Sequence, residues 1–211
     1  VLGANDGIIS VASLIIGVAA ATPETGPVLV AGVAALMAGA MSMAAGEYIS
    51  VSSQADSEKA DIAREKEAIA ATPADEEAEL AAIYRARGLS ETTAALVARE
   101  LSAADPLAAH VRDELGLSEH LAAKPLQAAL ASGATFSAAA AVPLLAAWLA
   151  PAGAIMLMVV AVSVLALAVL GALGAKAGAA PLVPATLRVV GWGVFAMATT
   201  AAVGRLFGVS V

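Results

Sequence analysis

Two groups of side chains in this sequence have the types and spacing to hold a divalent cation. The first lies in apolar sequence: Asp6, near the start of the stretch 2–21, and Met43, which stands one helical turn before Glu47 at the end of the stretch 28–45. Residues four apart share a helix face, so thioether and carboxylate can meet one ion. A soft sulfur beside hard oxygens favours a transition metal over Mg2+ or Ca2+. The second group lies in polar sequence. Glu65 and Glu67 come first, Glu76 and Glu79 follow three apart, and His110, Asp113 and Glu114 repeat that spacing with an imidazole added. Carboxylate oxygens with one imidazole nitrogen suit divalent Mn, Fe or Zn.

Each group also has a plainer reading. Acids in the first turn of a helix are favoured by the macrodipole, so Glu65, Glu67 and the run from Asp75 to Glu79 also fit a solvated face. Methionines such as Met37, Met41 and Met43 ordinarily fill gaps in packing. Asp6, within Asn5-Asp6-Gly7 only a few residues into its stretch, also fits a helix cap at a membrane surface. A carboxylate deeper in a span costs roughly 3 kcal/mol on insertion scales, and such a group lines a water-filled or protein-packed path rather than lipid.

The elements that must position these groups follow from composition. With 60% apolar and 14% charged residues and a mean hydropathy of +0.86, the chain belongs to the membrane class. Residues 2–21, 28–45, 126–149, 152–174 and 185–207 form five apolar stretches, each near the ~20 helical residues that cross a hydrocarbon core. Of the 29 charged residues, 23 lie within 51–124, which carries a net charge of −7. The remainder balances, with Asp6, Glu24 and Glu47 against Lys176, Arg188 and Arg205. Three domains are therefore expected: 1–50 with the first two spans, 51–124 as a helical metal-binding domain, and 125–211 with the last three spans. The absence of cysteine excludes disulfides and thiolate metal sites. The chain begins at Val1, so an N-terminal piece is expected to be missing, and no basic region marks a cleavable signal peptide.

Segment 51–124 holds eight of the eleven basic residues, and Lys176 and Arg188 lie beside the fifth stretch. That distribution places the N-terminus and the metal-binding domain in the cytoplasm and the C-terminus outside. Within the segment, helices are expected at 57–71, at 73–87 after a Thr72 cap and before Gly88, at 90–103, and at 106–115 before Gly116. No Gly or Pro follows Gly46 until Pro73, so the first of these continues the second span. Nowhere does the sequence alternate as strands do. Gly3, Gly7, Ser10, Ser13 and Gly17 make the first span a close-packing helix suited to a dimer contact in lipid.

The runs Asn5-Asp6-Gly7-Ile8-Ile9-Ser10 and Gly39-Ala40-Met41-Ser42-Met43-Ala44-Ala45-Gly46-Glu47-Tyr48-Ile49-Ser50-Val51 resemble the vacuolar iron transporter family. Gly17-Val18-Ala19, Tyr84 to Leu89, His110 to Gly116 and Pro143-Leu144-Leu145 extend the resemblance, and they look like its bacterial branch. The resemblance implies a homodimer with five spans per subunit that exports Fe2+ or Mn2+ from the cytoplasm in exchange for protons. It implies a path along the dimer interface lined by residues matching Asp6 and Met43. It also implies a cytoplasmic domain between the second and third spans that gathers metal through Glu65, Glu76, Glu79 and Glu114. The sequence departs from the plant pattern where Ala68 replaces a second glutamate, leaving Glu67 as the near substitute, and where His110 and Val111 replace methionines.

These readings combine into an all-α polytopic membrane transporter with five transmembrane helices. Glu65, Glu67, Glu76, Glu79, His110 and Glu114 collect the metal, Glu47 and Met43 receive it, and Asp6 carries it or exchanges it for a proton. Fe2+, Mn2+ and also Co2+ or Zn2+ are expected as substrates, with no prosthetic group. The expected partners are the lipid bilayer, the ions and a second copy, with no nucleic acid, and the expected location is the bacterial inner (plasma) membrane. The alternative is a membrane-anchored metal sensor or store. An enzyme is not expected: the histidines are His110 and His120, neither in a span, and no HExxH pair exists.

Overall fold

The computed structural model describes residues 2–22, 24–117, 123–151 and 153–208. His120 lies outside the described residues. Those described form eight α-helices and no strand: α1 (Leu2–Ala21), α2 (Thr25–Ala71), α3 (Pro73–Ala86), α4 (Glu91–Ala104), α5 (Pro106–Asp113), α6 (Pro125–Leu149), α7 (Ile155–Ala177) and α8 (Leu182–Gly208). Five of them, α1, α2, α6, α7 and α8, are long and apolar enough to cross a membrane.

The chain divides into two compact units, one comprising Val1–Tyr48 and Leu126–Val211, the other Ile49–Pro125. Helix α2 belongs to both. Its 47 residues are more than twice the ~20 a span requires. It stops at Ala71 because Pro73 disfavours helical backbone at the residue before it, and Thr72 accordingly sits at φ −136°, ψ 60°. Thr72 does not cap α3; its hydroxyl donates instead to the Ala68 carbonyl at 3.4 Å. Proline at the first position, with Asp75 and Glu76 in the first turn, starts α3 without that cap.

In the first unit α1 is the packing centre. Val11, Ala12, Ile15 and Ile16 are buried with Val28, Phe136, Ala140, Val159 and Met197. Its small residues let neighbours close in. A Cβ on Gly7 would stand 2.6 Å from the Phe136 carbonyl oxygen of α6, and one on Gly204 of α8 would stand 1.9 Å from that of Gly17. Ser13 is buried too. The small-residue stripe expected to face a second subunit is therefore largely consumed inside this one, because the same absence of side chains serves either neighbour. Ser10 and Leu14 remain exposed on α1.

The second unit is held by Leu80 of α3, Ala98 of α4 and Ala109 of α5, with Tyr84 and Leu101 against them. Gly88 ends α3 at φ +99°, a backbone that glycine adopts without strain. Ser90 caps α4 by accepting from the Thr93 amide at 3.3 Å. Asp105 then serves two helices. Its amide donates to the Leu101 carbonyl at 3.0 Å to close α4, and its carboxylate accepts from the Ala108 amide at 3.0 Å to open α5. These tight connections fix the azimuth of α5, and so of His110.

Gly204→Ala is expected to destabilise the protein by at least about 1–3 kcal/mol, since the added methyl meets backbone that cannot move without parting α1 from α8. Gly46→Ala, whose methyl meets nothing within 4 Å, is the control. Thermal unfolding of both variants in detergent checks this, and equal midpoints would refute the close α1–α8 contact.

Candidate metal centre

Helix α2 supplies Glu65, α3 supplies Glu76, and α5 with the residue after it supplies His110 and Glu114. Each offers one ligand atom, and all four atoms lie within 4.8 Å of one another. Twice a metal–oxygen distance of ~2.1 Å is only slightly less than this, so one ion can draw the set together with small movements.

The electrostatics of the group are lopsided. His110 is 1% exposed, and its Nδ1 lies 2.8 Å from both Glu65 Oε1 and Glu114 Oε2 and 3.9 Å from Glu76 Oε2. One ring nitrogen carries at most one proton. The geometry directs Nδ1 toward Glu114, and Glu65 Oε1, near in distance but poorly aligned, is buried with no hydrogen-bond partner among the described residues. Burial first, and then the neighbouring Glu114, push the Glu65 carboxyl above its ordinary value; Glu76 and Glu79 add to this while His110 opposes it. Three carboxylates around one nitrogen, with an orphaned buried acceptor among them, form a site short of positive charge. A divalent cation supplies that charge, and the oxygen-plus-imidazole donor set suits Mn, Fe or Zn.

A groove of about 270 Å³ lined by residues of α2, α3, α4 and α5 touches this cluster. Glu76, His110, Glu77, Arg99 and Ser102 are among its lining residues, with Arg99 3.7 Å from Glu77. The groove therefore leads to two of the four ligands, Glu76 and His110.

Asp113, one residue before Glu114, is used differently. It accepts from Arg87 at 2.6 Å, from Tyr84 at 2.8 Å and from Arg112 at 2.6 Å, while Arg87 also donates to the Asp113 carbonyl oxygen at 2.8 Å. Burial alone would push its carboxyl up, but the hydrogen bonds from Arg112, Arg87 and Tyr84 win and hold it at about 2 against an ordinary 3.8. This latch ties α5 to the end of α3. Spacing gives no sign of its long-range half, because Arg87 and Asp113 are 26 residues apart, whereas Arg112 is the sequence neighbour of Asp113.

Of the other residues singled out by sequence, Glu67 points away from the cluster and is exposed, as expected two positions (~200°) round the helix from Glu65. Glu79 is exposed and outside the four-atom group, yet near enough to Glu65 to raise its pKa. In the first unit, Asp6 lies inside α1 rather than at its cap and accepts from the Ser10 hydroxyl at 2.8 Å. Asn5 Oδ1 beside it is buried without a partner. The Met43 methyl lies 3.8 Å from where a Cβ on Gly3 would stand, one turn from Asp6, whereas Glu47 is exposed on α2.

A family model described as the VIT family matches residues 1–205. A protein named vacuolar iron transporter from Acanthamoeba castellanii is 42% identical over 207 residues, covering 98% of this chain and 76% of that one. Vacuolar iron transporter homolog 1 of Oryza sativa subsp. japonica is 36% identical over 209 residues, covering 99% and 72%. Vacuolar iron transporter homolog 2 of Arabidopsis thaliana is 34% identical over 209 residues, covering 99% and 82%.

Glu65 and Asp113 should show opposite pH signatures. A carboxyl raised in the folded state contributes stability that is complete below its ordinary 4.5 and lost as pH rises through the raised value. Glu65→Gln should therefore stabilise the metal-free protein at neutral pH while weakening Mn2+ or Co2+ binding about tenfold or more. A carboxyl lowered to about 2 contributes stability that is present above 3.8 and lost as pH falls through about 2. Asp113→Asn should cost about 2 kcal/mol at neutral pH and little in strong acid. Amide exchange of α3 and α5 across pH, with calorimetric metal titration, reads both effects. Normal binding and lowered stability in Glu65→Gln would return these acids to a merely solvated face.

Proposed function

The chain belongs to the VIT family, and on that premise we propose that it transports divalent transition metal, Fe2+ or Mn2+, out of the cytoplasm in exchange for protons. It is not an enzyme; its relatives are named as transporters. The observation that carries the metal reading is the convergence of Glu65, Glu76, His110 and Glu114 around a Glu65 oxygen that has no hydrogen-bond partner.

On this reading residues 51–124 are a cytoplasmic domain inserted between the second and third spans, and the four-ligand cluster gathers the ion. Co2+ and Zn2+ satisfy the same donors. Ligation by Nδ1 requires the imidazole tautomer that carries its proton on Nε2, and the Glu65 carboxyl, raised by burial, has to give up its proton to bind, so loading strengthens as pH rises. Glu79 and Glu67 act as exposed acids that concentrate cations near the groove rather than as ligands. Glu47 and Met43 then receive the ion, the thioether favouring thiophilic metals, and Asp6 carries it or takes the returning proton. Exposed Ser10 and Leu14 continue the Asp6 face of α1 at helical spacing. This supports a homodimer whose two α1 helices flank the path, with the interface on this face rather than on the buried Ser13.

Metal flux into vesicles containing the purified protein, with and without a pH gradient, tests the proposal. Asp6→Ala should abolish flux yet leave cytoplasmic metal binding intact, because the two sites lie on different elements. Met43→Ala should slow flux and shift preference away from thiophilic ions. Glu79→Ala should raise the half-saturating metal concentration more than it lowers the maximum. Wild-type protein that binds metal but moves none would be the anchored sensor or store instead. Near-normal flux by Asp6→Ala would remove the intramembrane relay. For the dimer, cysteine at Leu14 should cross-link two subunits and cysteine at Ser13 should not; the reverse result would reassign the interface.

A further inference from the structure

Helix α8 carries a cation that the rest of the chain leaves unanswered. Arg188 lies six residues into α8, ~9 Å along its axis, and its side chain is exposed. Among the described residues it makes no hydrogen bond or ion pair. The only acids in its unit are Asp6, Glu24 and Glu47. A bare guanidinium facing outward from a span costs roughly 3 kcal/mol unless it reaches the headgroup level. Its position permits that. Arg205, near the other end of α8, is 17 residues or ~26 Å away, so the two cations bracket a length close to a ~30 Å hydrocarbon core. Lys176, also exposed and without a partner among the described residues, closes α7 on the Arg188 side of the α7–α8 turn.

Beside Arg188 the helix surface is hollowed. A pocket of about 340 Å³ is lined by Leu187, Arg188, Gly191, Trp192 and Phe195. Gly191 leaves its floor open, since a Cβ there would meet nothing within 4 Å. Trp192 and Phe195 form one wall, locked edge to face with ring centres 5.7 Å apart at 89°. A cationic rim over an apolar, aromatic-walled notch matches an amphiphile with an anionic head.

We propose that this face of α8 binds one anionic phospholipid, with Arg188 gripping the phosphate and the Gly191 notch seating the adjoining acyl chain between Leu187 and the Trp192–Phe195 wall. The planar guanidinium fork binds phosphate through two parallel donors, and tryptophan favours the interfacial depth. Lys176 adds attraction for net negative charge. A zwitterionic headgroup is the poorer match, because its ammonium would lie among these cations. A second protein copy is also less favoured, because its membrane unit brings only three acids to answer the charge. The site is independent of the transport reading.

Native mass spectrometry of the full chain, released from detergent after titration with phosphatidylglycerol or phosphatidylcholine, tests it. Wild type should retain one phosphatidylglycerol in preference to phosphatidylcholine, Arg188→Gln should lose that affinity about tenfold or more, and Arg205→Gln should keep it. Arg188→Lys, which keeps the charge without the fork, should fall between. Gly191→Leu, which fills the notch but leaves Arg188, should also lose the lipid while melting like wild type. Equal retention by wild type and Arg188→Gln, or no preference between the two lipids, overturns the proposal. Displacement of the lipid by inorganic phosphate alone would make it a free-anion site. Loss of a dimer in lipid-free Arg188→Gln protein would make the face a contact between copies.

Discussion

A single buried nitrogen faces more negative charge than it can answer, and the second unit is arranged around that shortage. His110 Nδ1 can carry at most one proton and faces two carboxylate oxygens at 2.8 Å, so the Glu65 oxygen goes without a hydrogen bond among the described residues. In water the imbalance would be trivial. At 1% exposure for the imidazole and 9% for the Glu65 side chain, solvent cannot relax it, and desolvation penalises the charged carboxylate directly. The metal-free unit therefore holds unfavourable electrostatic energy at the place where a cation can remove it.

Such an arrangement persists only if the backbone is tied down elsewhere. The Asp113 latch does this: two arginines and a tyrosine converge on a carboxylate held at about 2, one residue from Glu114, and Arg87 grips the backbone oxygen as well as the side chain. Asp105 adds a second tie by closing α4 and opening α5. Two acids of this unit, Asp113 on α5 and Glu65 on α2, are thus shifted in opposite directions. Asp113 is over-supplied with donors and stabilises; Glu65, across the cluster, is under-supplied and is free to bind. The same physics produces both outcomes, with donor count deciding the sign.

Much of this was readable in the sequence. The five apolar stretches appear as α1, α2, α6, α7 and α8, and Pro73, Gly88, Pro106 and Gly116 punctuate the polar helices because their backbone preferences act locally. The identity of the cluster was only partly readable. Glu65, Glu76, His110 and Glu114 were picked by residue type, as were Glu67 and Glu79, and spacing could not separate the four that converge from the two that do not. That separation depends on which faces of α3 and α5 the Leu80 and Ala109 contacts turn inward and on which face of α2 carries Glu65 to His110, tertiary facts. The small residues of α1 misled for a related reason. Gly7 and Gly17 announce close approach without naming the neighbour, and α6 and α8 take the place expected for a second subunit.

The membrane unit shows the complementary economy. Its helices close to backbone contact at Gly7 and Gly17, and the cavity of about 420 Å³ between α1, α7 and α8 is lined by apolar side chains, among them Ile16, Met156 and Met197. Asp6, half-buried and among the described residues hydrogen-bonded to Ser10 alone, is a carboxylate with capacity to spare, beside an Asn5 oxygen that has no partner among those residues. On the proposed reading, the two units divide the work by ligand hardness. Several oxygens and a nitrogen, reached through a solvent groove, can strip a hydrated ion because they replace most of its water. Met43 cannot do that, since one weakly binding thioether does not repay dehydration. Placed after the oxygen-rich cluster, however, it meets an ion already partly stripped, and a soft donor then discriminates among metals by softness rather than by size. Gathering thus has to precede selection, and the acids have to lie where water can leave.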